Sequence, residues 1–129
     1  MNKIEKFLNN INIDINKLPE DWKEYLFNLT DEQIEDLKLV IQYKDDLYKL
    51  LYLTCELGYE FEDAINRIDD VEFYQDMRVE EVAEELVEEG VLGEISDFLK
   101  FYIDYKRLAR DLEIDGYNYI PGLGTFRII

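Results

Sequence analysis

Apolar residues recur along this chain at helical spacing, in short runs with sharp boundaries. Ile4, Phe7, Leu8 and Ile11 follow an Asn2-to-Glu5 capping-box pattern and predict a first amphipathic helix. Ile11, Ile13 and Ile15 then alternate, which predicts an extended piece. Pro19 suits the first turn of a helix reaching about Asn28, with Glu20 and Asp21 near its positive end and Trp22, Tyr25, Leu26 and Leu29 inward. Thr30 with Gln33 forms a second capping box, opening a helix with Ile34, Leu37 and Ile41 on one side. Lys44-Asp45-Asp46 is expected to interrupt or bend it. Leu47, Leu50, Leu51 and Thr54 then continue to Leu57, where Gly58 supplies a C-terminal cap. A short helix over about residues 60–67 uses Phe61, Ala64, Ile65 and Ile68.

The pattern changes after residue 67. Val71 to Tyr74 predicts a strand, and the next run, Val79 to Glu89, predicts a helix stopped by Gly90. A helix over about residues 96–103 carries Phe98, Leu99, Tyr102 and Ile103 in its stripe, and Asp104 caps another with Leu108, Ala109 and Leu112. Asp115-Gly116 signals a turn. Tyr117 to Ile120 and Thr125 to Ile129 flank Pro121-Gly122-Leu123-Gly124 as a hairpin. The expected fold is α+β and mostly helical: a helical subdomain over 1–67, then a lobe over 68–129 with three antiparallel strands, helices and a C-terminal hairpin.

The helix from Val79 to Glu89 is the unusual element. Val79, Val82, Ala83, Leu86 and Val87 occupy one face, and all six remaining positions, Glu80, Glu81, Glu84, Glu85, Glu88 and Glu89, are glutamate. An ordinary solvated face mixes signs. Here four like-charged i,i+4 pairs arise (80/84, 81/85, 84/88 and 85/89), and their repulsion sums to roughly 1 to 2 kcal/mol. Such a cost in a marginally stable fold invites a functional explanation.

Charge sharpens this picture. The chain of 129 residues holds 31 acids and 14 bases, a net charge of −17, and its 47% hydrophobic content suffices for a core. Residues 68 to 129 alone hold 16 acids and 6 bases. Nucleic acid and anionic membranes are excluded as partners, and basic surfaces are favoured. Halophilic acidity is disfavoured, because nine lysines remain alongside many Ile, Asn and Tyr. A single Cys55 permits no internal disulfide, and the absence of an export signal or membrane-length apolar run makes the cytoplasm the expected location.

Catalysis finds little footing, and no enzyme activity, cofactor or metal is expected. The sequence contains no His, which removes the commonest general base and the usual imidazole ligands. Cys55 lies in an apolar helical context and reads as an inert thiol. Asp69-Asp70 lacks the spacing of a calcium loop, and the glycines at 116, 122 and 124 belong to hairpin turns rather than a phosphate-binding loop. Tyr43, Tyr48, Tyr52 and Tyr59 suit the edges of a small core better than a base-stacking platform, which would need basic residues along it.

The acidic helix has instead the charge density of DNA. Duplex carries about one negative charge per 1.7 Å of axis. Glu80 to Glu89 rises roughly 13.5 Å and carries six carboxylates, about one per 2.3 Å. A folded carboxylate surface of this density suits the basic groove of a DNA-binding enzyme.

Three runs also carry a family resemblance: D-D-V-E-F-Y-Q-D-M-R-V-E-E-V-A-E-E-L-V-E-E-G (69–90), L-G-E-I-S-D-F-L-K-F-Y-I-D-Y (92–105) and A-R-D-L-E-I-D-G-Y (109–117). In this order they resemble the C-terminal part of the ArdA antirestriction proteins, closely over about residues 58–129 and more loosely before. The resemblance implies a DNA mimic from a mobile element or phage, a homodimer that occupies the DNA groove of type I restriction-modification enzymes. Leu92 to Tyr105 would fall at the family's antirestriction motif, with Phe98, Tyr102 and Ile103 serving dimerisation. Asp69, Asp70, Glu72, Asp76, Glu80, Glu81, Glu84, Glu85, Glu88, Glu89, Glu94, Asp97, Asp104, Asp111, Glu113 and Asp115 would stand in for phosphates. Full-length members begin with an additional β-containing domain, whereas this sequence begins with the helical segment, so its inhibitory reach is expected to differ. The alternative is an acidic interaction or regulatory module acting on another basic DNA-binding protein. A mimic's binding should weaken steeply with salt, and that of a module docking through apolar surface only slightly.

Overall fold

The structure, a computed structural model, describes residues 2–129 and divides into two units, one ending at Val71 and the other spanning Glu72–Ile129. The fold is α+β and mostly helical, with one three-stranded antiparallel sheet.

The first unit is built by local signals. Helix α1 (Lys3–Asn10) starts where the Asn2 side chain accepts the Glu5 N–H at 2.9 Å, and it buries Ile4, Phe7 and Leu8. Helix α2 (Glu20–Phe27) follows Pro19 and buries Trp22 and Leu26. Helix α3 (Asp31–Val40) has the complete Thr30/Gln33 box, with bonds of 3.1 and 2.9 Å. Helix α4 (Lys44–Leu51) widens into a π-helical turn over Tyr52–Glu56, where the Leu57 N–H reaches back five residues to the Tyr52 carbonyl. Gly58, at φ +77°, closes it, and α5 (Phe61–Ile65) follows. Helix α1 packs on α3, α3 on α5, and α2 on the π turn. Trp22, Leu26, Leu37, Leu47, Leu50, Leu51 and Leu53 are inaccessible to solvent.

Two expectations for this unit are corrected. Ile11, Ile13 and Ile15 do not form an extended piece. The N–H groups of Ile11, Asn12 and Ile13 are spent on carbonyls at the end of α1, Asn12 turns to φ +61°, and Ile15–Lys17 is a 3-10 turn. The helix is interrupted here as expected, over residues 41–43, but Lys44-Asp45-Asp46 opens the second helix rather than bending the first. The break lies just before it, and Asp46 accepts the backbone N–H groups of Gln42 (3.4 Å) and Tyr43 (3.3 Å), a carboxylate at the positive end of α4.

The second unit is a sheet carrying helices. Strands β1 (Val71–Gln75), β2 (Asn118–Ile120) and β3 (Gly124–Ile128) lie in the order β1-β3-β2, with Asn118, Tyr119 and Ile120 opposite Phe126, Thr125 and Gly124. Gly124 is required at this join. Its φ is +144°, and a Cβ there would collide with the Tyr74 carbonyl oxygen and sit 2.9 Å from the Asp76 nitrogen. The buried Thr125 hydroxyl donates to the Met77 carbonyl at 2.7 Å, and the Phe126 ring stacks on Phe73 at 4.4 Å. Helix α6 (Val79–Glu88) packs on α8 (Tyr105–Ile114) around Val79, Val82, Ala83, Leu86, Ala109, Leu112 and Tyr117.

The helix predicted over residues 96–103 is reduced to one turn, α7 (Asp97–Lys100). The Ser96 hydroxyl caps the Leu99 N–H at 3.4 Å, yet Phe98, Leu99 and Tyr102 remain exposed. Without a buried face a short helix has little to offset its nucleation cost.

Candidate functional site

Helix α6 presents the acidic surface, and its orientation is fixed by its apolar half. Val79, Val82, Ala83, Leu86 and Val87 are all at most 4% exposed, so the glutamates are forced to the other side. Glu81, Glu84, Glu88 and Glu89 are exposed, whereas Glu80 and Glu85, at the borders of the stripe, are half-buried. Glu81 has a local task as well, accepting the Arg78 N–H at 3.1 Å at the start of the helix. Arg78 itself lies over the Tyr119 ring, 5.4 Å from its centroid, and forms no ion pair with the glutamates among the described residues.

The remaining predicted phosphate substitutes fall into two groups. Several are engaged within the protein. Asp70 pairs with Arg67 at 2.6 Å, and this pairing is the main cause that raises the guanidinium's pKa. Glu72 lies 3.5 Å from Arg127 and accepts the Tyr74 hydroxyl at 3.2 Å. Glu88 and Asp97 share Lys100, at 3.5 and 3.4 Å. Asp104 caps α8 through the Arg107 N–H at 3.1 Å. The others, Asp69, Asp76, Glu80, Glu84, Glu85, Glu89, Glu94, Asp111, Glu113 and Asp115, have no side-chain partner among the described residues. Asp69 and Asp70 belong to the first unit and the rest to the second.

Behind Glu72 lies a polar network that sequence reasoning missed. Arg127 donates to the Tyr117 hydroxyl at 3.1 Å and lies 4.9 Å from the centroid of that ring, while Tyr74 and Tyr117 stand 6.2 Å apart. Burial, followed by Glu72 and Tyr117, pushes the Tyr74 phenol well above its usual range, so it serves as a neutral donor. Alternation in the strands was the only available signal: Glu72 and Tyr74 share one face of β1.

The predicted dimerisation residues form an exposed apolar surface. The Phe98 and Tyr102 rings, 68% and 73% exposed, pack on each other at 5.5 Å, and Ile103 is half-buried. Val91, Leu92, Leu99 and Phe101 are exposed in the same stretch. Sequence reasoning gave no role to Lys106, Arg107 and Arg110, which the structure leaves exposed on α8.

Among the described residues, no group of three or more His, Cys, Asp or Glu is placed to hold a metal ion. Burial pushes the Cys55 thiol up to about 11, leaving it protonated and unreactive near neutrality. Among the described residues no helix is long and apolar enough to cross a membrane.

The sequence model of the antirestriction protein (ArdA) family matches residues 3–124. The match runs through the helical first half as well as the stretch from residue 58. No curated protein sequence matches the chain at a significant level.

Proposed function

The chain belongs to the ArdA antirestriction family, a family of inhibitors rather than enzymes, and from that premise we propose that it is a DNA mimic acting on type I restriction-modification enzymes. The mimic occupies the basic DNA-binding groove of the modification core, with carboxylates in place of phosphates. The observation that carries this reading is the division of α6: an apolar half at most 4% exposed, and an outer half made only of glutamate. A solvated face needs no such purity, and its self-repulsion is a cost with no structural return. The partner-free carboxylates of the second unit, Asp76, Glu94, Asp111, Glu113 and Asp115, extend the candidate surface beyond the helix, whereas Glu72, Glu88 and Asp97 contribute less because Arg127 and Lys100 already offset them.

The active form is a cytoplasmic homodimer joined through Phe98, Tyr102 and Ile103, which roughly doubles the length of carboxylate surface. Exposed aromatic side chains in the matching segment support this, since an apolar surface of that kind is ordinarily covered by a partner. Competition against duplex DNA for a type I modification core is the direct test. Inhibition should be strong at low salt and fall steeply as salt rises, in parallel with DNA binding itself. Inhibition independent of salt, or absent when DNA binding is intact, would refute groove occupation.

A further inference from the structure

We infer that residues 92–103 form a strap held against α6 by one ionic latch, Lys100 to Glu88, and that a cationic surface docking on α6 releases the strap by taking Glu88 from Lys100. The inference rests on α6 as the face that meets a basic partner, and adds that two carboxylates, Glu88 and Asp97, are freed from their internal cation only as that partner arrives.

Little else holds the strap. From Glu88 to Leu108 no residue is buried, and the core around α6 and α8 takes in no residue between Glu88 and Asp104. The Val91 N–H still reaches the Leu86 carbonyl at 3.1 Å. Beyond it every backbone bond stays within the strap or its entry: Gly93 to Gly90, Leu99 and Lys100 to Ser96, Tyr102 to Leu99, and Ile103 to Lys100. Gly90 (φ +71°) and Gly93 (φ +113°) lead into it with open space around their Cα atoms, a joint with no side chain to obstruct movement. An open cleft of about 560 Å³ runs between the strap and the end of α6, with Val87, Glu88, Gly93, Ile95 and Lys100 in its walls.

Lys100 is the exception. It is the one base between Val79 and Tyr105, and it reaches Glu88 at 3.5 Å and Asp97 at 3.4 Å. Asp97 lies within the strap, so only the Glu88 contact crosses to another element. Among the described residues no other side-chain bond or ion pair from residues 92–103 does so. The Glu88 side chain is nonetheless 65% exposed and belongs to the unbroken glutamate face, so the group that fastens the strap is also one that a basic partner meets. An ion pair of this kind is weak and screened, and an incoming lysine or arginine both competes for Glu88 and repels Lys100. A cationic partner gains two unpaired carboxylates in the open state, so its binding shifts the population toward that state. Opening exposes no core residue, and little opposes it.

Amide hydrogen exchange of the full chain at low salt tests the latch, with decalysine as the cationic probe. K100Q should raise exchange in peptides covering residues 92–103 by about 2- to 5-fold, with peptides over α6 and α8 within about 1.5-fold of the parent, and K100R should exchange as the parent does. E88Q should match K100Q, and the double variant should add nothing to either, because both changes remove the same contact. Decalysine or added salt should bring the parent's strap to the K100Q rate and leave K100Q itself unchanged. Strap exchange in K100Q equal to the parent's, effects of E88Q and K100Q that add in the double variant, or a parent unmoved by decalysine would each overturn the inference. No restriction enzyme takes part, so a latch that behaves as expected in a chain that fails to compete with DNA would refute groove occupation alone.

Discussion

Replacing Glu84 and Glu85 by Gln is the smallest change that separates a phosphate-like role for α6 from a merely solvated face. The two positions take part in all four i,i+4 glutamate pairs, so E84Q/E85Q removes every one of them while sparing Glu81, which caps the helix start, and Glu88, which meets Lys100. Four pairs at about 0.2 to 0.5 kcal/mol each would give roughly 0.8 to 2 kcal/mol. Lys100 already offsets part of the charge on Glu88, so the expected gain is about 1 kcal/mol at low ionic strength. Glu85 lies in the last turn of α6, where an anion opposes the helix dipole, and its neutralisation adds in the same direction. Thermal unfolding by circular dichroism should show a rise of about 4 °C at low salt that fades as salt is added. Function should move the other way. With four carboxylates over about 13.5 Å, the spacing becomes roughly 3.4 Å, about twice that of duplex. Two rim charges at about 0.2 to 1 kcal/mol each predict an inhibitory concentration about 2- to 30-fold higher in competition with DNA. A variant that is more stable and inhibits as well as the parent would refute α6 as the phosphate-like element and shift attention to Asp111, Glu113 and Asp115. A variant with unchanged stability at low salt would refute the claim that the face is strained.

Three further outcomes are expected. Phe98→Ala with Tyr102→Ala should convert the protein to monomer in sedimentation and remove the concentration dependence of its unfolding, while leaving the unfolding free energy of the dissociated monomer within about 0.5 kcal/mol, because both rings are solvent-exposed there. Gly124→Ala should destabilise the second unit by well over about 1 kcal/mol in denaturant titration, since the new Cβ meets backbone at Tyr74 and Asp76 and the φ of +144° is itself unfavourable. Cys55 should react slowly with iodoacetamide at neutral pH, its rate still rising with pH until about 11. Because the folded-state pKa lies above the unfolded one, the thiol's contribution to stability is intact below the usual thiol range and is lost as pH rises from that range to about 11. An alkylation rate that levels off near pH 8.5 would contradict the burial of Cys55.

Where a signal acts within a few residues, the chain's own order was decisive. Thr30 with Gln33, Ser96 and Asp104 each bond an N–H three residues on, and such bonds form whatever the rest of the molecule does. The stripe of Val79, Val82, Ala83, Leu86 and Val87 likewise dictates a helix with one buried face, and the unbroken glutamate on the other side makes that surface recognisable before any fold is known. Local readings failed where two local outcomes compete. Asp45-Asp46 suits a helix start as well as a break, and the isoleucine alternation gives way because the end of α1 claims the N–H groups a strand would need.

Only the tertiary structure decided which carboxylates remain available. Lys100 reaches back to Glu88, and Arg127 crosses the sheet to Glu72, pairings set by how helices and strands close on one another rather than by spacing in the chain. The same holds for Gly124, whose need for a bare Cα arises from backbone that lies far away in sequence at Tyr74. It holds too for Phe98 and Tyr102, whose stripe is helical in pattern but stays exposed among the described residues. Apolar periodicity states which residues seek burial. Whether a partner surface exists for them is a property of the assembled fold.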